Sequence, residues 1–287
     1  MEQHETGDTR PRSASGAAAS GADTITERWA ISEGQSRVID LDAVTALRVG
    51  IVGGSVVIVA HDEPTARVEV HRVEGRDLTV TLEQGRLSIS HPRMSWDDVW
   101  QSVKALVGVR AKVELSILVP RHVALSLGQV SASALVTGLG ARASLSTVSG
   151  PVQVASHRGD LELNTVSGDI EVSGGAGRLS VHGVSANVTA AGELTDIGVD
   201  TVSGEVLLDV HGAPRSITVN SVSADIAVRL DAGQGVRATT RTVSGRGTIV
   251  GRAAPKRGGT EVIDGANAFP LGANTVSGSV TVMRRDA

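Results

Sequence analysis

The chain has 287 residues, 27 Lys and Arg against 31 Asp and Glu, and no cysteine. A formal net charge of −4 gives no electrostatic reason to expect nucleic acid or an anionic membrane as a partner, and a cysteine-free chain has neither disulfides nor thiolate metal centres. With one Phe, three Trp, no Tyr and 34 glycines, the core has to be built from Val, Leu, Ile and Ala, which suit a thin core between closely stacked strands joined by tight turns.

Residues 1–24 are rich in Ser, Gly and Ala with scattered charges, which predicts a disordered tail. They offer neither the basic start nor the apolar run of a secretory signal. No stretch approaches the roughly 18 apolar residues of a membrane span, so a soluble, cytoplasmic protein is expected.

From residue 25 a continuous β body is expected, its first part (25–120) irregular. The candidate strands are Arg37–Asp42, Ala46–Val52, Ser55–Ala60, Ala66–Val73, Leu78–Leu82, Arg86–Ser90 and Lys112–Val119. Gly53-Gly54, Asp62-Glu63-Pro64, Gly75-Arg76-Asp77 and Gln84-Gly85 are the turn signals between them. One segment departs from the strand pattern. In Met94–Val107, apolar residues fall at Trp96, Val99, Trp100, Val103, Leu106 and Val107, the offsets of an amphipathic helix. Ser95 is its N-cap and Asp98 stands three residues on. Such a helix either covers an edge of the body or exposes Trp96, Val99, Trp100 and Val103 as a docking face. Its polar side carries Lys104 against Asp97 and Asp98, not the basic face of a membrane-surface helix, so a protein partner is the expected occupant.

Residues 121–287 are repetitive. A Val-Ser-Gly/Ala unit begins at Val130, Val148, Val166, Val184, Val202, Val222, Val243 and Val276, spaced by 18, 18, 18, 18, 20, 21 and 33 residues. Apolar residues recur five and three positions before the valine (Leu161 and Leu163 before Val166) and four and six after it (Ile170 and Val172), with Thr240 and Gly247 around Val243 the exceptions. This is the period-2 alternation of two short half-buried strands on either side of a corner. One such repeat cannot bury its apolar face alone, so like residues must lie over like residues in a stack. The expected fold is therefore all-β: a single-stranded, stacked β-solenoid, β-helix-like, with rungs of about 18 residues and one short amphipathic helix. The serines of the corner have a structural role along the ladder. Arg252–Asn267, with Pro255, Lys256 and Arg257, reads as a surface loop inside the last spacing. The charges of Arg284, Arg285 and Asp286 would shield the final strand as an edge.

No catalytic, cofactor-binding or metal-ligating residue is assigned. Gly138–Ala143 matches a dinucleotide-binding pattern, but a strand follows where that pattern needs a helix. Gly174–Gly177 lacks the aspartate of a calcium-binding repeat. His157, His182 and His211 do not share the repeat spacing and read as surface residues.

The units TVSGPVQV, TVSGDIEV, TVSGEVLL and TVSGSVTV, the upstream LRVGIVGGSVVIVAHDEPTARVEVHRV, and SISHP followed by an insertion and VELSILVP resemble a bacterial family of β-strand-repeat proteins. That family is catalogued as a domain of unknown function under the label "putative adhesin". The resemblance runs from Trp29 to the C-terminus. It implies a stacked β-solenoid without catalytic residues, with some relatives in envelope-stress signalling. The first functional reading is a non-enzymatic binding or scaffold module with a protein partner, tied to cell-envelope sensing. A self-assembling, bactofilin-like structural homo-oligomer is the alternative, and a β-helix carbohydrate-active enzyme the remote one.

Overall fold

A computed structural model describes residues 26–91, 111–253 and 258–286. The regular elements among them are all strands, joined in one hydrogen-bonded sheet. The tail of residues 1–24 and the helix expected over Met94–Val107 lie outside the described residues.

The chain begins with β1 (Thr26–Ile31), β2 (Arg37–Leu41), β3 (Ala46–His61), β4 (Ala66–Glu74), β5 (Leu78–Glu83), β6 (Arg86–Ser90) and β7 (Lys112–Pro120). The expectation of an irregular half is corrected at one strand. β3 is a full rung, parallel along its length to β8 (Ala124–Thr137), with Leu47 opposite Leu125, Val49 opposite Leu127, Val56 opposite Ala134 and Ile58 opposite Val136. Gly53 and Gly54 lie opposite Ser131 and Ala132, so Val52-Gly53-Gly54 is a divergent copy of the Val-Ser-Gly corner. On its other side β3 pairs in parallel with β6 and β7. Beyond these the direction reverses. β5 is antiparallel to β6 and β1 to β5, while β4 is antiparallel to β7 and β2 to β4. This end of the ladder closes on antiparallel strands.

The regular rungs follow as β9 (Ala143–Thr147), β10 (Val152–Ala155), β11 (Leu161–Thr165), β12 (Ile170–Gly183), β13 (Val188–Val210) and β14 (Ser216–Leu230). Leu161 stacks between Ala143 and Leu179, and Leu163 between Leu145 and Val181. Val152 stacks between Ala134 and Ile170. These inward columns are fully buried. Each such Val, Leu or Ile contributes about 1.5–3 kcal/mol by leaving water, which is why the period survives in the sequence while the outward residues vary. A short third side links successive rungs through the parallel bridge of Arg158 with Ala176 and the pairing of Gly175–Gly177 with Gly192–Leu194.

The C-terminal part departs from chain order. It comprises β15 (Val236–Thr242), β16 (Gly247–Ile249), β17 (Arg252–Ala253), β18 (Gly258–Asp264), β19 (Phe269–Thr275) and β20 (Val280–Arg284). β14 pairs with β19 and β20, and it is these strands that pair onward with β15 and β16. The last rung in sequence is thus inserted beneath the one before it. β18 returns antiparallel to β15, and β17 forms a hairpin with β16. Two expectations are corrected. The segment read as a surface loop at Arg252–Asn267 supplies two capping strands. The strand ending at Arg284 is interior, and its charges are used inside the molecule. Arg284 binds Asp264, and Arg285 reaches the carboxylates of Asp209 and Asp231.

Candidate functional site

The repeated corner closes by a local rule. In Thr-Val-Ser-Gly the threonine points inward and is buried at Thr147, Thr165, Thr201, Thr242 and Thr275. Thr165 Oγ1 accepts the Gly168 N–H at 2.8 Å, and Thr242 Oγ1 accepts the Gly245 N–H at 2.8 Å. The serine then joins rungs. The Ser167 N–H and hydroxyl both donate to the Val148 carbonyl, at 2.9 and 3.1 Å. Ser149 does the same to Val130, and Ser203 to Val184. The structural role expected of the serine column is what the geometry shows.

Strand alternation has a consequence for the residue between them. With threonine inside, valine must face out, which inverts the usual apolar-in, polar-out pattern. Val184, Val202, Val222, Val276 and Val243, on five successive rungs in space, are 46%, 47%, 50%, 48% and 65% exposed. Val130, Val148 and Val166 continue the line and are partly exposed. The signal was present in the sequence. Carrying the alternation one residue past Leu163 and Thr165 puts Val166 outside.

Around this stripe most outward side chains are polar, although Leu135 and Leu207 are exposed in the column that holds Glu171, and three of the rungs from Val166 to Val222 carry acidic residues. Asp169, Glu171, Asp200, Glu205 and Asp225 flank Val166, Val202 and Val222 and are all exposed. Their neighbours are neutral side chains and His182. Asp169 accepts from Asn187 at 3.2 Å, Gln153 donates to Glu171 at 3.0 Å, and Asp200 lies 3.4 Å from His182. Among the described residues none of the five pairs with a lysine or arginine. At the far end, Arg241 and Arg246 flank Val243.

The N-terminal end of the corner holds a cleft of about 940 Å³ lined by Val52, Gly53, Gly54, Arg72, Glu74 and Lys112 among others. Its charges are partly spent on each other, with Arg72 and Glu74 2.7 Å apart. The chain leaves the rung at His91 and returns at Ala111, where later rungs carry their Val-Ser-Gly corner. Trp96, Val99, Trp100 and Val103, the expected docking face, fall between these points and lie outside the described residues.

The histidines separate. His182 and His211 are exposed beside Asp200 and Asp231. His157 is corrected from surface to core, being 2% exposed with no hydrogen-bond partner at either ring nitrogen. It occupies the inward column of the third side between Leu139 and Gly175, a position that the 18-residue repeat fixes. Burial holds its pKa below the ordinary value, against a smaller opposing influence of the Asp160 backbone, to which the ring makes at most a poorly aligned contact, and of the Asp160 charge. His91 is also buried and held low by burial, with Nδ1 bonded to the Asp77 carbonyl at 3.0 Å. Among the described residues no group of three His, Asp or Glu side chains could hold a metal ion, and no helix is long and apolar enough to cross a membrane.

No curated protein sequence matches the chain. A protein of Parabacteroides distasonis ATCC 8503 described as a putative lipid binding protein shares the fold, with a TM-score of 0.51 and 14% identity over 89% of this chain and 98% of that one. A putative cell adhesion protein of Clostridium sporogenes ATCC 15579 aligns over 88% of this chain and 99% of its own, at 9% identity and a TM-score of 0.30. The ladder and its corners, from β3 to the β16–β17 hairpin, coincide with residues 45–252, which match the Toastrack DUF4097 family, and the chain belongs to that family.

Proposed function

We infer that the protein is a non-enzymatic binding module whose rigid ladder holds the valine corner out toward a protein partner. One observation carries this reading: the outward residue of the corner is valine on eight rungs, although nothing in the corner's bonding needs it. Thr, Ser and Gly close the turn through side chain and backbone, and the valine contributes only its backbone N–H and carbonyl, which any residue but proline has. A continuous exposed apolar line is the mark of an interaction surface.

The self-assembly alternative needs ladder ends that accept another parallel rung. Here β1 and β2 at one end and β17 and β18 at the other are antiparallel to their neighbours, so an incoming parallel rung finds no matching template. This favours a discrete module over a filament. The family resemblance directs the search for the partner to cell-envelope sensing.

The test compares tagged full-length protein with the triple variant Val184→Ser, Val202→Ser, Val222→Ser in cross-linked capture experiments. A partner held reproducibly by the first and released by the second supports the reading. Identical capture by both removes the valine corner from the function.

A further inference from the structure

We propose that the valine stripe receives a basic amphipathic helix of a partner protein, laid along the ladder with its N-terminus over the acidic rungs. This deepens the binding-module reading and rests on it.

Three observations select the occupant. The first is charge. The stripe from Val166 to Val222 is edged by Asp169, Glu171, Asp200, Glu205 and Asp225, none with a lysine or arginine partner among the described residues. Uncompensated carboxylates beside an apolar line complement a segment with an apolar row between lysines or arginines. They oppose a second copy of this chain. Antiparallel pairing of two full stripes would set Asp225 of one against Asp169 and Glu171 of the other.

The second is spacing. Valines recur every ~4.8 Å along the ladder, and one turn of a helix advances ~5.4 Å. Over the four steps from Val184 to Val243 the mismatch accumulates to only about 2.4 Å. An apolar row at i, i+3, i+4, i+7 therefore stays over the valines. An extended segment places same-side residues about 6.8 Å apart and falls out of step after one contact. It also gains few backbone bonds, because the carbonyls of Val130, Val148, Val166, Val184, Val222 and Val276 already accept from a serine of the next rung.

The third is direction. Arg241 and Arg246 stand at the Val243 end, opposite in sign to the middle of the stripe. A helix carries partial positive charge at its N-terminus and partial negative charge at its C-terminus. The favoured orientation therefore puts the N-terminus toward Asp169 and the C-terminus toward Arg241.

The probe is a fluorescent helical peptide of about six turns, long enough to span the stripe, with one leucine row flanked by lysines. Its counterpart has glutamate in place of each lysine. Anisotropy is read with full-length protein, with the triple valine-to-serine variant, and with Glu205→Gln plus Asp225→Asn; circular dichroism shows that each variant remains folded. The lysine peptide is expected to bind, with affinity falling about tenfold or more in each variant and with rising salt, and the glutamate peptide to bind at least about tenfold more weakly. Equal binding of the two peptides overturns the charge selection and leaves the binding-module reading intact. Absence of binding by either peptide overturns the helix, while the capture comparison above decides the module reading separately. Two further results overturn the proposal by naming another occupant: self-association of the protein that the valine variant abolishes, or valine-dependent binding to neutral phosphatidylcholine vesicles.

Discussion

Ser244 donates its hydroxyl to the carbonyl of Val276 across 3.2 Å, which places the final rung of the chain underneath its predecessor. β14 has no ladder with β15 or β16; it reaches them only through β19 and β20. Truncation after Asp264 should therefore gut the ladder rather than shorten it. It removes buried Leu271, Val280 and Val282, together about 5–9 kcal/mol of burial, which is comparable to the whole stability of a domain. The truncated protein is expected to lose cooperative melting or to precipitate. A melting temperature within a few degrees of the full chain would disprove the inserted order.

Arg285 locks that inserted rung. Its guanidinium bonds Asp209 on one rung and Asp231 beyond it, and Asp209 also holds Arg229. The Asp209 carboxyl is held below its usual range, first by the Arg229 hydrogen bond and then, against the cost of burial, by Arg285. Arg285→Ala should cost about 1 kcal/mol and lower the melting temperature by roughly 2–4 °C, less so in about 1 M salt. A depressed carboxylate stabilises the fold above its unfolded pKa and loses that contribution as the pH falls through the folded value. The gap between the two proteins should close on acidification below the carboxylate range. A gap that widens there would show that Arg285 acts by packing its stem and not by charge.

The inward columns were legible because burial imposes a period on them. Leu161, Leu163, Ile170 and Val172 stand where the 18-residue spacing puts them. Chain order was not a guide to spatial order at Val243 and Val276, since two rungs with equivalent columns can exchange places without altering either pattern. β3 was missed as a rung because Gly53 replaces the corner serine, although its apolar columns match those of β8. His157 misled because a polar residue in a core column looks like a break in the period. The valine stripe was visible as a motif before it was recognisable as a surface. Exposure depends on which way the threonine turns, and the corner hydrogen bonds of Thr165 and Thr242 settle that.

Gly204 and Gly198 separate two uses of glycine. Gly204 has φ +129°, and a Cβ there would overlap the carbonyl oxygen of Ala186 on the rung below. Gly198 has ordinary backbone geometry and open space around it. Gly204→Ala should cost about 3 kcal/mol from strain and overlap. Gly198→Ala should be neutral, or stabilising by about 0.5 kcal/mol through lost unfolded-state freedom. Urea unfolding of both variants is the measurement. Equal stabilities would mean that the corner shifts readily and that the close rung contact does not constrain it.

His157 gives the ladder a sensitivity to acid. Its ring is buried without a well-aligned hydrogen bond, and burial makes the folded state favour the neutral form, so its pKa lies below the ordinary 6.5. The unfolded chain takes up the proton as the pH falls through about 6.5 while the folded chain does not. Stability is therefore complete above that value and declines from there down to the folded pKa. Leu139 occupies the same column one rung away, so His157→Leu places there a side chain that the column already accepts. The variant should gain about 1–3 kcal/mol at pH 8 by removing unsatisfied nitrogens, and more at pH 5, where the wild type also loses the protonation contribution. Thermal melts at the two pH values decide it. His91 is unchanged in both proteins, so a residual acid dependence is expected in the variant. If the substitution leaves the difference between pH 8 and pH 5 as large as in the wild type, the buried imidazole at 157 does not set it.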